Sequence, residues 1–598
     1  MSERGHTRRA ERRAGCFMSD RRTTRPAQRA PALSGLLRAG VLLAASSTAL
    51  AQPGSMYPGE HGPWPGLSGG PTREGMARLP APPTALRRWT ATRDETGTPI
   101  AFIPNAGVVT ACDDAIGAGT QGGACGSRVE LVIALGRVSR PGGPANAPRA
   151  FAFDASSGDC RWSAPIAPVL LDSISTPAVD GARGWVLVAS GSELAALRLA
   201  DGSRAWTTVL PRPVVNASPL IVDEGPGTAR AFLTDYDGFG ADASLHCIRL
   251  DDKDSDGQPA TPGELLWSAP LGASSGNTPA YLPRAAGGLD LVYVASPVVG
   301  GEGPGCVRAF PAFPPHDPHA PHTPPPPAWT FVNVAPWGFF GGVSVRPPDA
   351  PGQPPHLFAA SYAFFGGLNA ANLVKLDGAT GSLAWSVPAN RTNSMPVLLP
   401  GGRVLLSGGI AGFGTVPSLR LYHDLGSSVT TVWDSALDSW IDANQNGLID
   451  PGEYLRVGGW SQQPAAYVFG PDTLAACGVA GTGTSNAAPA ALLLLDLHSH
   501  PAHPSFVRAA QPGAGAAPAP AGLALFSTGT DGLVCIGITE HALDLDADTR
   551  ICIDDLYAWE MGQGPRDLDG NGVVDTADRA WLTARVRVGV GPRGVLAP

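Results

Sequence analysis

FAFDASSGDCRW (Phe151–Trp162) alternates apolar and polar residues, turns through Asp154 to Gly158 and closes on a tryptophan. Strand-period alternation around a Gly-containing turn is the pattern of a β-hairpin. The same plan recurs in AALRLADGSRAW, ending at Trp206, and VKLDGATGSLAW, ending at Trp385. Looser copies end at Trp267, Trp329, Trp433 and Phe506, some stretched by long turns. Between the hairpins lie apolar runs such as GWVLVAS (184–190), LVYVASPVV (291–299) and GRVLLSGG (402–409), which supply inner strands. Two hairpin strands and two inner strands make a four-stranded unit that cannot bury both faces alone and so must stack on its neighbours. The tryptophans are expected to fill the space between neighbouring sheets, as core and not as catalytic groups.

The two ends of this array complete each other. LRRWTAT (86–92) has the closing Trp89 without preceding strands, and GLALFSTGTDGLVCIGI (522–538) has inner strands without a closing tryptophan. Joined, they form one unit and close a ring, which leaves no open sheet edge. The expected fold is therefore all-β: an eight-bladed β-propeller of four-stranded blades over residues 85–540, with seven blades as the alternative. The Asp-x-x-x-Gly turn followed by a closing tryptophan resembles the PQQ-like, or quinoprotein-type, propeller repeat. That family includes PQQ-dependent alcohol dehydrogenases and non-enzymatic scaffolds. The resemblance implies, for the dehydrogenases, an adjacent Cys-Cys pair beneath the quinone; this sequence has no Cys-Cys, so PQQ is not expected as a cofactor.

Residues 1–51 hold ten arginines and three acids and end in an apolar stretch and Ala49-Leu50-Ala51. This is the pattern of a secretion signal cut after Ala51, with Met18 as an alternative start. No other segment is long and apolar enough to span a bilayer. The chain carries a net charge of −9, which becomes −16 once that basic segment is removed. Such acidity argues against nucleic acid and for cations. Export also permits disulfides among the eight remaining cysteines, and most are expected to be oxidised, with Cys112–Cys125 the most local pair. A Pro/Gly-rich linker is expected at 52–84.

The acids cluster in loops. DLDGNGVVDTAD (567–578) places Asp567, Asp569, Asn571, the Val573 carbonyl, Asp575 and Asp578 at positions 1, 3, 5, 7, 9 and 12, with Gly572 at 6. Those are the ligand positions of an EF-hand calcium loop, and unpaired carboxylates at that density repel one another. Upstream, DLDADTRICIDD offers Asp544, Asp546, Asp548, the Arg550 carbonyl and Asp555, departing at Thr549 and Cys552. DANQNGLIDPGE gives Asp442, Asn444, Asn446, the Leu448 carbonyl, Asp450 and Glu453, in an insertion at about 434–460. A fourth, irregular candidate runs from Asp252 to Glu264. Two to four calcium sites are expected.

The two C-terminal loops each precede a short helical stretch and together resemble a dockerin type I pair over 541–590, a small α-helical EF-hand-like module. Where cellulosomal dockerins carry small hydroxyl residues for cohesin, this chain has Ile553-Asp554 and Thr576-Ala577, so cohesin binding is not implied.

The expected function is an exported, calcium-binding, non-enzymatic scaffold, secreted or at the cell envelope, whose partner is a protein or glycan at the cell surface. A PQQ-dependent dehydrogenase and a dockerin-bearing component of a polysaccharide-degrading assembly are the alternatives. No sequence pattern supports a Ser-His-Asp arrangement.

Overall fold

The computed structural model describes residues 64–78, 87–103, 106–112, 129–168, 173, 175–314, 322–364, 370–410, 416–439, 444–446, 453, 457–469, 472–479, 491–497, 505–512, 516–521, 524–537, 553–563, 574 and 576–583. The chain divides into two units, 1–54 and 55–598, and every described residue belongs to the second. The expected signal segment lies outside the described residues.

Eight separate sheets, each built around four hydrogen-bonded strands, form the blades. Blade 1 spans 101–165, and blades 2 to 7 span 178–209, 220–272, 280–332, 338–388, 397–434 and 465–512. Blade 8 combines Ala516–Ala521, Ala524–Gly529 and Gly532–Gly537 with the N-terminal strand Arg87–Ala91. The register Trp89↔Cys535, Thr90↔Val534 and Ala91↔Leu533 is antiparallel. The eight-bladed ring closed by both chain ends is thus observed, and the seven-bladed alternative is set aside. An apolar cluster seals the closure: Phe151 and Phe153 of blade 1 are buried with Leu525, Phe526 and Val534 of blade 8, and Trp89 packs against them.

The recurring tryptophan has a defined seat. It stands within the outermost strand of its blade and lies against the turn between the third and fourth strands of the next. Trp89 Nε1 donates to the Ala155 carbonyl (3.1 Å), Trp162 Nε1 to Leu199 O (2.8 Å), and Trp329 Nε1 to Gly378 O (3.2 Å). The glycine of that turn sits on the indole face. Gly202 has φ +71°, and a Cβ there would lie 2.5 Å from Trp162 Cε3. The Asp-x-x-x-Gly turn and the tryptophan are therefore two halves of one inter-blade contact. Gly202→Ala combines a left-handed backbone with an overpacked interface and is expected to cost roughly 2–3 kcal/mol. Urea denaturation measures this; an unchanged midpoint would show that the indole does not hold the turn.

The cysteines correct the expectation of extensive oxidation. Cys112 is disulfide-bonded, with a partner outside the described residues. Cys160, Cys247, Cys306, Cys477 and Cys535 are free. They stand in strands of five different blades, where they serve as small apolar residues. Burial pushes the thiols of Cys247 and Cys477 up to about 12.

Candidate functional site: the propeller axis and the faces around it

Five sequences lead into innermost strands: ISTPAV (174–179), NASPLIV (216–222), GNTPAYL (276–282), NSMPVLL (393–399) and QQPAAYV (462–468). The proline holds the preceding residue extended. In four of the five, Met395 being the exception, that residue's side chain then accepts a hydrogen bond from the equivalent backbone of the blade before it. Gly107 N donates to Thr176 Oγ1 (3.0 Å), Thr176 N to Ser218 Oγ (2.9 Å), Ser218 N to Thr278 Oγ1 (3.1 Å) and Met395 N to Gln463 Oε1 (2.8 Å). This polar girdle ties blade to blade around the axis. The repeated x-Pro before an apolar run is the sequence signal for it, and it is not among the expected site residues.

Inside the girdle lies a segment of the expected linker. Residues 64–77 are ordered, and most of them are buried. The carbonyl of Trp64 accepts from Thr110 N of blade 1, and that of Pro65 from Val179 N of blade 2. Pro71 O, Thr72 O, Glu74 O and Gly75 O accept in turn from Tyr281, Val345, Leu398 and Ala466, on blades 4 to 7. Met76–Ala77 then pair in parallel with Ala466 and Tyr467. A segment so short reaches this many blades only where they converge, so it occupies the channel. Arg73 anchors it: Nη1 donates to Leu67 O (2.9 Å), Nη2 to Pro219 O (2.7 Å) and Nε to Pro279 O (3.3 Å). Burial lowers the Arg73 pKa to about 9. Proline and glycine content marks the segment as irregular, but its hydrogen bonds go to other parts of the chain, which composition does not reveal.

Beside Leu67 the axis retains a cavity of about 20 Å³, lined by Asn216, Thr278, Phe340, Asn393, Ser394 and Gln463 among others. That is room for about one water. Ligand pockets for cofactor-sized molecules run to roughly 300–1,000 Å³. A cavity of that size does not admit a cofactor-sized molecule.

Glu74 on the same segment retains part of its surface but stands among dense blade atoms. Burial raises its pKa to about 7, with Arg78 and Arg346 pulling it back. A carboxyl whose folded value is raised stabilises the fold fully below its ordinary value of 4.5 and loses that contribution as pH rises to about 7. Glu74→Gln is expected to match the parent at pH 4 and exceed it at pH 8 in urea midpoint. A difference that does not change with pH would sink the assignment.

Two further polar clusters carry functional residue types. Asp235 Oδ2 lies 3.0 Å from His246 Nε2, and His246 Nδ1 lies 2.8 Å from Ser268 Oγ. This Ser-His-Asp set was not visible in sequence because its members come from separate parts of blade 3, Asp235 just after the strand Arg230–Thr234 and His246 and Ser268 within Ala243–Arg249 and Leu265–Gly272. Asp235 and His246 are fully buried. Blade 5 has an analogous bridge, in which Asn372 contacts Ser361 and donates to Ser386 Oγ (2.8 Å). The recurrence assigns both sets a bracing role across the strands of a blade. Lys375, one of two lysines, is buried against Asp424 (2.9 Å), which also accepts from Arg346 (2.9 Å) and Trp385 Nε1 (2.9 Å). Burial alone would raise the Asp424 pKa, but Lys375, the Trp385 indole N–H and the Gly426 N–H outweigh it and hold the carboxyl low. The cluster locks blade 5 to blade 6.

The expected metal ligands fall as follows. Asp567, Asp569, Asn571, Val573, Asp575, Asp544, Asp546, Asp548, Arg550, Asp442, Leu448 and Asp450 lie outside the described residues. Asp555 and Asp578 are each the third residue of a short helix, Ile553–Glu560 and Thr576–Thr583, and Asp555 is buried. Leu556, Trp559 and Leu582 are buried, and Arg579 Nε bridges to Glu560 Oε1 between the helices (2.6 Å). In the inserted loop, Asn444 N donates to Glu453 Oε1 (3.3 Å) and Asn446 N to Asn444 Oδ1 (3.1 Å). Positions 3 and 12 of that loop are thus in contact. The irregular 252–264 stretch is a capped hairpin turn: Asp254 accepts from Asp256 N (3.0 Å) and Gln258 N (2.8 Å), and Glu264 pairs with Arg249 (3.0 Å). Among the described residues no group of three His, Cys, Asp or Glu side chains is gathered for a metal.

Residues 105–252 match the family described as outer membrane protein assembly factor BamB. This agrees with the PQQ-like character of the repeat over blades 1 to 3. No curated protein matches the chain. Among solved structures, the chain is similar to BamB from Moraxella catarrhalis, at 13% identity and a TM-score of 0.39, covering 75% of this chain and 96% of that one. It is also similar to the quinohemoprotein alcohol dehydrogenase ADHIIG from Pseudomonas putida HK5, at 11% identity and a TM-score of 0.45, covering 79% and 77%. A third is Chaetomium thermophilum Sqt1 bound to the N-terminus of the ribosomal protein L10, at 11% identity and a TM-score of 0.38, covering 68% and 93%.

Proposed function

We propose that the chain is an exported, calcium-binding propeller that works as a non-enzymatic interaction scaffold at the cell envelope or outside the cell. The observation that carries this reading is the filled axis. With residues 64–77 in the channel and space there for about one water, the position where a ring of blades best encloses a cofactor is taken by the chain itself. The loops around the axis are left to present surface to a partner. The N-terminal basic-then-apolar segment supports export, and no helix among the described residues is long and apolar enough to cross a membrane.

Calcium binding at 567–578, 544–555 and 442–453 is part of the same proposal. Ligand spacing supports it, together with the placement of Asp555 and Asp578 in the first turn of paired helices and the Asn444–Glu453 contact. The test is affinity capture from the native envelope with the full chain as bait, in millimolar calcium and then in chelator. A discrete partner retained in calcium is the expected result. Capture of nothing in either condition sinks the scaffold reading. Mixing the chain with PQQ and calcium is expected to give neither colour nor alcohol oxidation; turnover would restore the dehydrogenase.

A further inference from the structure

The loops between the second and third strands and the connections between blades emerge on one face of the propeller. On that face, over blades 3 to 7, aromatic side chains from separate loops and strand ends converge. Phe239 lies 5.7 Å from Phe340 and 5.1 Å from Phe364, centroid to centroid, and Tyr362 lies 4.4 Å from Phe340 and 6.2 Å from Trp460. Phe340 and Tyr362 form a buried floor, while Phe239, Phe364 and Trp460 are half-exposed walls. Exposed valines flank them. Val299 is 57% exposed beside the 298–301 turn that bonds to Phe239 O, and Val416, 39% exposed, accepts from Asn390 next to Arg391.

Arg391 stands in this basin. Its guanidinium lies 4.8 Å from the Tyr362 centroid and 5.9 Å from that of Phe364, and Nη2 donates to Phe364 O (2.5 Å). Other partly buried arginines of the ring, such as Arg140, Arg183, Arg346 and Arg420, are each paired with a carboxylate. Arg391 has no carboxylate within ion-pair distance among the described residues. Its Nε is buried without a hydrogen-bond partner, as are Trp460 Nε1, Tyr362 Oη and, nearby, Asn393 Oδ1. Burial pushes the Tyr362 hydroxyl pKa up, and Arg391 and Trp460, which lie close to it outside hydrogen-bonding geometry, pull it only part of the way back. Buried polar atoms are rarely left unpaired in a folded protein, and an uncompensated guanidinium among aromatic rings favours an oxygen anion.

We propose that this basin docks a partner protein through a side-chain carboxylate flanked by apolar residues, the carboxylate meeting Arg391 and the Trp460 indole N–H while the apolar neighbours cover Phe239 and Phe364. The proposal rests on the scaffold reading and specifies the chemistry of its partner. Charge complementarity chooses the carboxylate, and the half-exposed rings and flanking valines choose its apolar setting.

The test pans a displayed library of random 12-residue peptides on the immobilised full chain. Selected peptides are expected to carry Asp or Glu beside an aromatic or aliphatic residue. They are expected to bind Arg391→Gln at least tenfold more weakly, and Trp460→Phe, which keeps a ring and loses the N–H, several-fold more weakly. Both variants are checked for a parental melting curve, and if Arg391→Gln does not fold, Trp460→Phe decides. No enrichment, enrichment without an acid, or peptides that bind the folded variants as well as the parent overturns the proposal. Complete displacement by millimolar acetate makes the basin a small-anion site and also overturns it. Panning reads the chemistry of the basin and envelope capture reads whether a partner exists, so the two failures are distinct.

Discussion

A chain truncated to begin at residue 93 is expected to lose cooperative unfolding altogether. The truncation removes Arg87–Ala91, which pairs with Gly532–Gly537 and completes blade 8. It exposes that strand as a bare edge, a template for pairing with other chains. Loss of the half-buried Trp89 from the cluster with Phe526, at 5.8 Å between centroids, is worth up to about 3 kcal/mol alone. The truncation also empties the axis, taking away Arg73 and the backbone bonds to blades 1, 2 and 4 to 7. A domain's whole stability is about 5–15 kcal/mol, so losses at the closure and at the axis together exceed what the ring can absorb. Calorimetry should show a broad, low transition and sedimentation should show association. A truncation beginning at residue 79 keeps the closing strand and, among the described residues, loses only the axial segment. It is expected to unfold cooperatively at a lower temperature. If the chain beginning at 93 melts like the parent, neither closure nor axis stabilises the ring.

The ring was legible in the sequence because each blade repeats a local device. A two-residue period, a turn glycine and a tryptophan recur close together, and the unmatched ends at Trp89 and 522–538 show where the circle closes. The axis was not legible because its contacts are long-range and irregular. Trp64 to Ala77 has no period, and Arg73 reads as a surface cation until its three carbonyl partners on separate segments are seen. The x-Pro approaches were readable in principle, since Thr176, Ser218 and Thr278 each precede a proline and an apolar run. The Arg391 basin was beyond reach, because Phe239, Tyr362 and Trp460 approach only after the ring has closed. The cysteines misled for a compositional reason: an even count in a chain expected to be exported suggests pairing, yet a buried thiol in a strand also serves as a small apolar side chain.

Calcium is expected to fold the C-terminal helices without altering the propeller. Ile553–Glu560 and Thr576–Thr583 are each too short to hold helical structure alone in water. Their buried apolar side chains among the described residues, Leu556, Trp559 and Leu582, are few. The loops before them, at 544–555 and 567–578, gather carboxylates that repel one another without a cation. Metal that binds only the ordered form stabilises it by RT ln(1 + [Ca]/Kd), about 2.7 kcal/mol at a hundredfold excess over Kd. Extracellular modules bind in the range of about 0.1–1 mM, so millimolar calcium outside a cell suffices and cytosolic levels do not. Titration calorimetry on the full chain should show saturable heat. Circular dichroism of residues 541–598 should gain helix with calcium and lose it with chelator, while the main melting transition of the full chain stays fixed. Asp567→Ala removes the first ligand of the better-formed loop and is expected to weaken binding there by about tenfold or more, the effect typical of losing a group that orients or supplies a metal ligand. Absence of both heat and helix gain would leave these carboxylates as a solvated acidic surface, and the scaffold would then act without metal.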